Sequence, residues 1–151
     1  MEPLITVRQA KNKDWEVVMW LEKIALGPMY STGVEKEDIT RYIKYETILL
    51  AYSGKEIVGK ISYVEEENVV DISGLIIVPK WRGKGFGKKL TMMMMEIFPG
   101  AKTFKLTVHP KNVAAIKIYT NLGFEEMKVV ADYYGDGEPR LLMELNREGN
   151  K

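Results

Sequence analysis

The 151-residue chain contains no cysteine and a single histidine, His109. The first absence excludes disulfides, a thiol nucleophile and a cysteine-rich zinc site. The second excludes a histidine cluster for a metal, so no metal is expected. A Ser-His-Asp arrangement could be built only around His109. Charge of one sign is also lacking: 22 basic residues stand against 21 acidic ones, for a net charge of +1. Binders of nucleic acid usually carry a strongly basic face or domain, and no nucleic-acid partner is expected here. Long apolar runs are missing too. The longest stretch without a charged residue, Ile24 to Val34, is broken by Gly27, Pro28 and Gly33. It falls well short of the roughly 20 residues that a helix needs to span a bilayer, so no membrane partner is expected. Met1-Glu2-Pro3-Leu4 has neither a basic nor an apolar region of the signal-peptide kind. The expectation is a cytoplasmic protein, monomeric or homodimeric.

What is present suffices for a core. The chain is 46% hydrophobic and 28% charged, and a domain of this length buries about 70% of the surface its unfolded chain exposes. No Ser- or Pro-rich linker and no internal repeat divides it, so residues 1–151 are read as one domain. Leu4 to Arg8 alternates as a strand does. Asp14 is a plausible N-cap for a helix from Trp15 to about Leu26, with Val17, Val18, Leu21, Ile24 and Ala25 on one stripe. The punctuated segment from Gly27 to Gly33 reads as a loop, and Glu35 to Lys44 as a second helix. Thr47 to Tyr52, Glu56 to Val64 and Val69 to Val78 read as strands, with turns at Ser53-Gly54-Lys55 and Glu65 to Asn68. A helix is predicted from about Gly85 to Phe98, a strand over Thr103 to Val108 and a helix over Asn112 to Leu122. Phe124 to Ala131 and Leu141 to Leu145 form the last strand pair. The order β-α-α-β-β-β-α-β-α-β-β is mixed α/β, antiparallel in its first half, with a crossover helix after the long strand. In the helix after that strand, Met92 to Met95 must divide between inward and outward positions, as core filler or a subunit contact.

The most informative stretch follows that long strand. Pro79-Lys80-Trp81-Arg82-Gly83-Lys84-Gly85-Phe86-Gly87-Lys88 carries alternating glycines into the start of a helix. Glycines let backbone N–H groups converge and a ligand approach, and a helix N-terminus adds positive partial charge. Arg82, Lys84 and Lys88 add full charges. No GxxxxGK[ST] string occurs, and the spacing of Gly83, Gly85 and Gly87 does not fit GxGxxG. What fits is [Q/R]xxGx[G/A], through Arg82, Gly85 and Gly87. A basic turn before an amphipathic helix is the plainer reading of the loop alone. A second block, Asn-x-x-Ala-x-x-x-Tyr-x-x-x-Gly-Phe, falls on Asn112, Ala115, Tyr119, Gly123 and Phe124.

These two blocks, in this order and among these strands, resemble the GNAT superfamily of acyl-CoA-dependent N-acyltransferases. The resemblance covers nearly the whole chain. It implies a mixed, mostly antiparallel sheet, of the α/β (α+β) class, with helices on both faces and a splay between the fourth and fifth strands. It also implies acetyl-CoA as co-substrate and an amine as acceptor. In such a fold the backbone of Leu75 and Ile77, with Ile76 between them, bonds the pantetheine arm like an added strand. The amides of Arg82, Gly83, Lys84, Gly85, Phe86, Gly87 and Lys88 hold the pyrophosphate.

Asn112 and Tyr119 are two helical turns apart and share a face. The resemblance implies cofactor contact for Asn112, which also reads as a helix N-cap. It makes Tyr119, otherwise a packed aromatic, the general acid that protonates the departing thiolate. Asp71 falls where histone-type relatives carry their base, but it is one methylene shorter than their glutamate. It would act through water, or it is a solvated carboxylate. Ribosomal-protein acetyltransferases carry a carboxylate where this chain has Thr107, so that route looks closed. His109 reads as a loop residue.

The segment Tyr133-Tyr134-Gly135-Asp136-Gly137-Glu138, followed by Met143-Glu144-Leu145, resembles the last hairpin of ribosomal-protein and N-terminal protein acetyltransferases. This implies that Tyr133 and Tyr134 line a peptide slot, with Tyr30 facing them. Hydrophobic closure of the sheet is the other reading of the tyrosine pair. The expected function is N-acetyl transfer to a protein or peptide α-amine by direct attack, for which no protein nucleophile is needed. Acetylation of a small amine such as a polyamine or antibiotic, and a non-catalytic acyl-CoA-binding module, are the alternatives.

Overall fold

A computed structural model of the chain describes residues 4–26 and 34–147. The elements follow in the expected order. Strand β1 spans Thr6–Gln9, helix α1 Trp15–Leu26, α2 Lys36–Tyr45, β2 Thr47–Ser53, β3 Glu56–Glu66 and β4 Val69–Ile77. Then come α3 (Phe86–Glu96), β5 (Thr103–Val108), α4 (Val113–Asn121), β6 (Glu125–Val130) and β7 (Arg140–Asn146). The seven strands hydrogen-bond in the order β1-β2-β3-β4-β5-β7-β6. The pairs β1–β2, β2–β3, β5–β7 and β6–β7 are antiparallel, and β4–β5 is parallel. That parallel pair follows from the α3 crossover, which returns the chain in the direction it left.

The described residues group into two compact units. One is drawn from Met1–Val64 and Gly74–Thr91, the other from Glu65–Ser73 and Met92–Lys151. In the first, Val18 and Leu21 of α1, Ile39 of α2, Ile48 and Leu50 of β2 and Ile76 of β4 form one buried cluster with Ala10. Val18 and Leu21 come from the apolar stripe of α1, Ile39 from the buried side of α2, and the strand residues from the period of two. Of the predicted stripe, Val18 and Leu21 are fully buried, whereas Ala25 is exposed. Asp14 does not act as the predicted cap for α1. A 3-10 turn over Asn12–Asp14 precedes the helix, and the Asp14 carboxylate turns back. It accepts from the Lys11 backbone N–H at 2.8 Å and from the Arg8 guanidinium at 2.9 Å on each oxygen.

Gly59 lets β3 lie against the end of β4. A Cβ there would sit 2.1 Å from the Ile76 carbonyl oxygen. Just beyond, the Val78 N–H donates to the Val58 carbonyl at 2.8 Å.

In the second unit, Phe104, Leu106 and Val108 alternate inward along β5, with Leu141 and Met143 of β7 buried beside them. The register runs from Thr103↔Asn146 to Val108↔Leu141. Most element ends fall within a residue or two of the sequence reading, and the ends of β3 and α3 differ for a visible reason. β3 runs on to Glu66, and the turn shrinks to Glu67 and Asn68, with Glu67 at φ 57°. α3 stops at Glu96, because Ile97 and Phe98 bond back to Met94 and Met95 in a tighter turn ahead of Pro99. The methionine run divides as predicted: Met94 and Met95 are buried and Met92 is exposed.

Candidate active site

The parallel ladder between β4 and β5 covers Val69↔Thr103 to Ile72↔Leu106 and stops there. Ser73 to Ile77 continue β4 beyond it. Among the described pairs, the backbone of Leu75 to Ile77 has no β5 partner. This is the splay expected between the fourth and fifth strands. Such a strand edge offers N–H and C=O groups to an extended ligand.

In the same compact unit as Gly74 to Ile77, β4 leads into the glycine-rich loop. Pro79–Trp81 make one 3-10 turn, and α3 begins at Phe86. Gly83 and Gly85 stand at φ 74° and 84°, the left-handed region that glycine enters at little cost. A Cβ at either would meet nothing within 4 Å, so the surface above both is open. Gly87 differs from them. It is buried inside α3, and its carbonyl accepts from the Thr91 hydroxyl at 2.8 Å.

The loop is pinned at several points. The Arg82 Nε–H donates to the Ile77 carbonyl at 2.8 Å, which ties the loop to the end of β4. Trp81 packs edge-on against Phe86 at 5.4 Å between ring centroids. Glu56, which opens β3, accepts from the Trp81 indole at 3.0 Å and from Lys80 at 2.8 and 3.1 Å. Lys80 and Trp81 together hold its carboxyl below the ordinary value. The Lys84 ammonium lies 5.5 Å from the Trp81 ring centroid. Open glycines at a helix start, with Arg82, Lys84 and Lys88 on the same segment, have the chemistry that a pyrophosphate asks for.

The second unit carries the remaining predicted residues. Asn112 caps α4, its side-chain oxygen accepting from the Ala115 N–H at 3.2 Å. Tyr119 is buried and packs edge-on against Phe124 at 5.4 Å. Burial pushes its phenol well above the ordinary value, so it stays protonated. Asp71 is level with Lys105 in the ladder. Desolvation raises its carboxyl, against the opposing pull of Lys105.

Between β6 and β7, Tyr133 and Tyr134 meet edge-on at 4.7 Å. Their loop is tied to the chain around β5. His109 Nδ1 accepts from the Lys111 N–H at 3.1 Å, which leaves Nε2–H to face Glu138 at 3.3 Å. Tyr30 lies outside the described residues. Among those described, no group of three or more His, Asp or Glu side chains is placed to hold a metal. No described helix is long and apolar enough to cross a membrane.

Sequence reasoning passed over Lys60 on β3. This lysine is 1% exposed; its ammonium donates to Ser62 at 3.1 Å and to the Tyr42 hydroxyl, and it pairs with the Glu22 carboxylate at 2.9 Å as an ion pair without hydrogen-bond geometry. Burial opposes its charge, but Tyr42 and Glu22 outweigh that and raise it above the ordinary lysine value. The one signal was a lysine at an inward position of an otherwise apolar strand.

The sequence pattern of the acetyltransferase (GNAT) family matches residues 13–124. The chain belongs to the GNAT family. It is an acetyl-CoA-dependent N-acetyltransferase, and the open, pinned loop fits the pyrophosphate of that co-substrate. An N-alpha-acetyltransferase of Sulfurisphaera tokodaii is 28% identical to this GNAT chain over 91% of it and 90% of the relative. A ribosomal-protein-alanine N-acetyltransferase from Brucella melitensis superposes with a TM-score of 0.78 at 19% identity, covering 93% of this chain and 99% of that one. A spermidine N-acetyltransferase chimera from Vibrio cholerae and hSSAT superposes with a TM-score of 0.80 at 18% identity, over 96% of each chain.

Proposed function

We propose that this GNAT enzyme acetylates the α-amine of a protein or peptide by direct attack on acetyl-CoA in a ternary complex. The observation that carries this reading is the tyrosine pair of the β6–β7 loop. Tyr133 and Tyr134 are large and exposed, yet they are held against one another in a tethered loop. An exposed but ordered aromatic pair suits an extended peptide chain, to which it offers apolar area at little entropic cost. The near full-length similarity to an N-alpha-acetyltransferase agrees with it.

In this reading the Leu75 and Ile77 backbone, on either side of Ile76, takes the pantetheine arm. The amides from Arg82 through Gly83, Lys84, Gly85, Phe86 and Gly87 to Lys88 take the pyrophosphate, and Asn112 adds a contact to the same molecule. Asp71 receives the proton of the acceptor ammonium through a water. The neutral amine then attacks the thioester carbonyl, and the C–S bond breaks as the tetrahedral adduct collapses. Tyr119 gives its proton to the departing thiolate. The nitrogen gives up its second proton through solvent, to leave the neutral amide and restore the Tyr119 phenol. Positioning of the two substrates and polarisation of the carbonyl by strand amides supply most of the rate.

The test is a thiol-release assay across peptides with a free N-terminus, the same peptides with a blocked N-terminus and an internal lysine, and spermidine. Turnover with the free N-terminus and none with the blocked peptide supports the reading. Turnover confined to spermidine overturns it in favour of a small-amine enzyme.

A further inference from the structure

We propose that Thr107 is a positioning residue that fixes the Tyr134 phenol for the amine acceptor. This rests on the reading of Tyr133 and Tyr134 as the acceptor-binding pair, and adds to it a residue with no assigned role. Thr107 belongs to β5, on the face opposite Phe104, Leu106 and Val108, which are buried. Its hydroxyl lies 2.7 Å from the Tyr134 hydroxyl, a full hydrogen bond. Tyr134 is 62% exposed, so packing alone does not fix its ring. Polar contacts do.

The Arg140 guanidinium sits 5.1 Å from the Tyr134 ring centroid. That guanidinium is itself held by Asp136 at 2.9 Å and donates to the Pro139 carbonyl at 3.0 Å. Within the loop, the Asp132 carboxylate accepts from the Gly137 N–H at 2.6 Å. With the His109–Glu138 contact, the loop is thus tethered twice, and the Thr107 tether is the one that ends on the phenol. A β-branched threonine suits the task, since its χ1 is restricted and its hydroxyl direction is set by the strand. The position that looked like a lost catalytic carboxylate holds an anchor instead.

The anchor is tested by Thr107→Val, which keeps the shape and removes the hydroxyl, and Thr107→Ser, which keeps the hydroxyl. Thr107→Val is expected to raise KM for the acceptor about fivefold, the order of one neutral hydrogen bond. KM for acetyl-CoA should stay put, and Thr107→Ser should restore the acceptor value. Tyr134→Phe should match Thr107→Val, and the double variant should be no worse than either. Amide exchange at Gly135 to Glu138 should quicken in Thr107→Val, a readout that needs no acceptor. An unchanged acceptor KM with unchanged exchange in Thr107→Val, or additive losses in the double variant, overturns the anchor. The wild-type acceptor profile decides the peptide reading separately. If spermidine proves to be the substrate, that reading falls, while the same cycle run on spermidine still decides the anchor.

Discussion

The Lys60 ammonium lies 2.9 Å from a carboxylate oxygen of Glu22, and the lysine is almost wholly buried. The pair joins α1 to β3, and Tyr42 of α2 and Ser62 of β3 complete the shell. Gly74 of β4 closes it: a Cβ there would stand 3.1 Å from both Lys60 Nζ and Ser62 Oγ. The strand that leads to the loop therefore rests on a polar cluster inside an otherwise apolar core.

Breaking that cluster on one side should be costly. Lys60→Met leaves the Glu22 carboxylate with its partner removed and should destabilise the protein by about 3–5 kcal/mol in urea unfolding. The double variant Lys60→Met with Glu22→Leu should recover most of that, because an apolar pair can replace a buried ion pair. Equal losses in the single and double variants would show that the charge pairing is not what matters.

Asp14 should give the fold a characteristic acid response. The Arg8 guanidinium beside it holds its carboxyl down at about 2, well below the ordinary aspartate value. A carboxyl depressed on folding stabilises fully above its unfolded value and loses that contribution as the pH falls through its folded value. Asp14→Asn should therefore cost about 1–2 kcal/mol at pH 7, less than full linkage because Arg8 is half-exposed and screened by solvent. The difference from wild type should shrink between about pH 4 and pH 2. A gap independent of pH in that window would contradict the ion-pair account.

Glu56 should matter for the co-substrate through the loop it braces. Its carboxylate takes up both Lys80 and the Trp81 indole and so braces the glycine-rich loop. Glu56→Ala should weaken CoA binding about threefold in calorimetry, the scale of an exposed polar brace, with little change in Tm. Unchanged CoA affinity would show that the loop needs no brace from β3.

Much of this was legible in the chain. Thr103–Val108 was bounded correctly because its alternation is clean and Gly100 and Pro110 punctuate it. The splay of β4 from β5 and the family came from the two motif blocks. Gly83 and Gly85 adopt the left-handed conformations that a glycine-rich turn announces.

The rest depended on contacts between distant parts of the chain. Nothing local to Lys60 reveals that Glu22 and Tyr42 converge on it, since that requires both helices to be packed on the strand. Thr107 looked like an absence for the same reason: its partner, Tyr134, arrives from a loop beyond another helix and strand. Asp14 was misread because its carboxylate had a backward partner, Arg8, as good as the forward amides.

The central claim is direct transfer of the acetyl group, with Tyr119 as the proton donor. Its buried phenol is raised well above the ordinary value, so it is protonated across the working pH range. The most direct measurement compares Tyr119→Phe with wild type, reading kcat by thiol release and acetyl-CoA affinity by calorimetry. The account predicts a fall in kcat of about 100-fold or more, the scale of general acid catalysis, with affinity for acetyl-CoA within about twofold of wild type. A variant that turns over at the wild-type rate would contradict it.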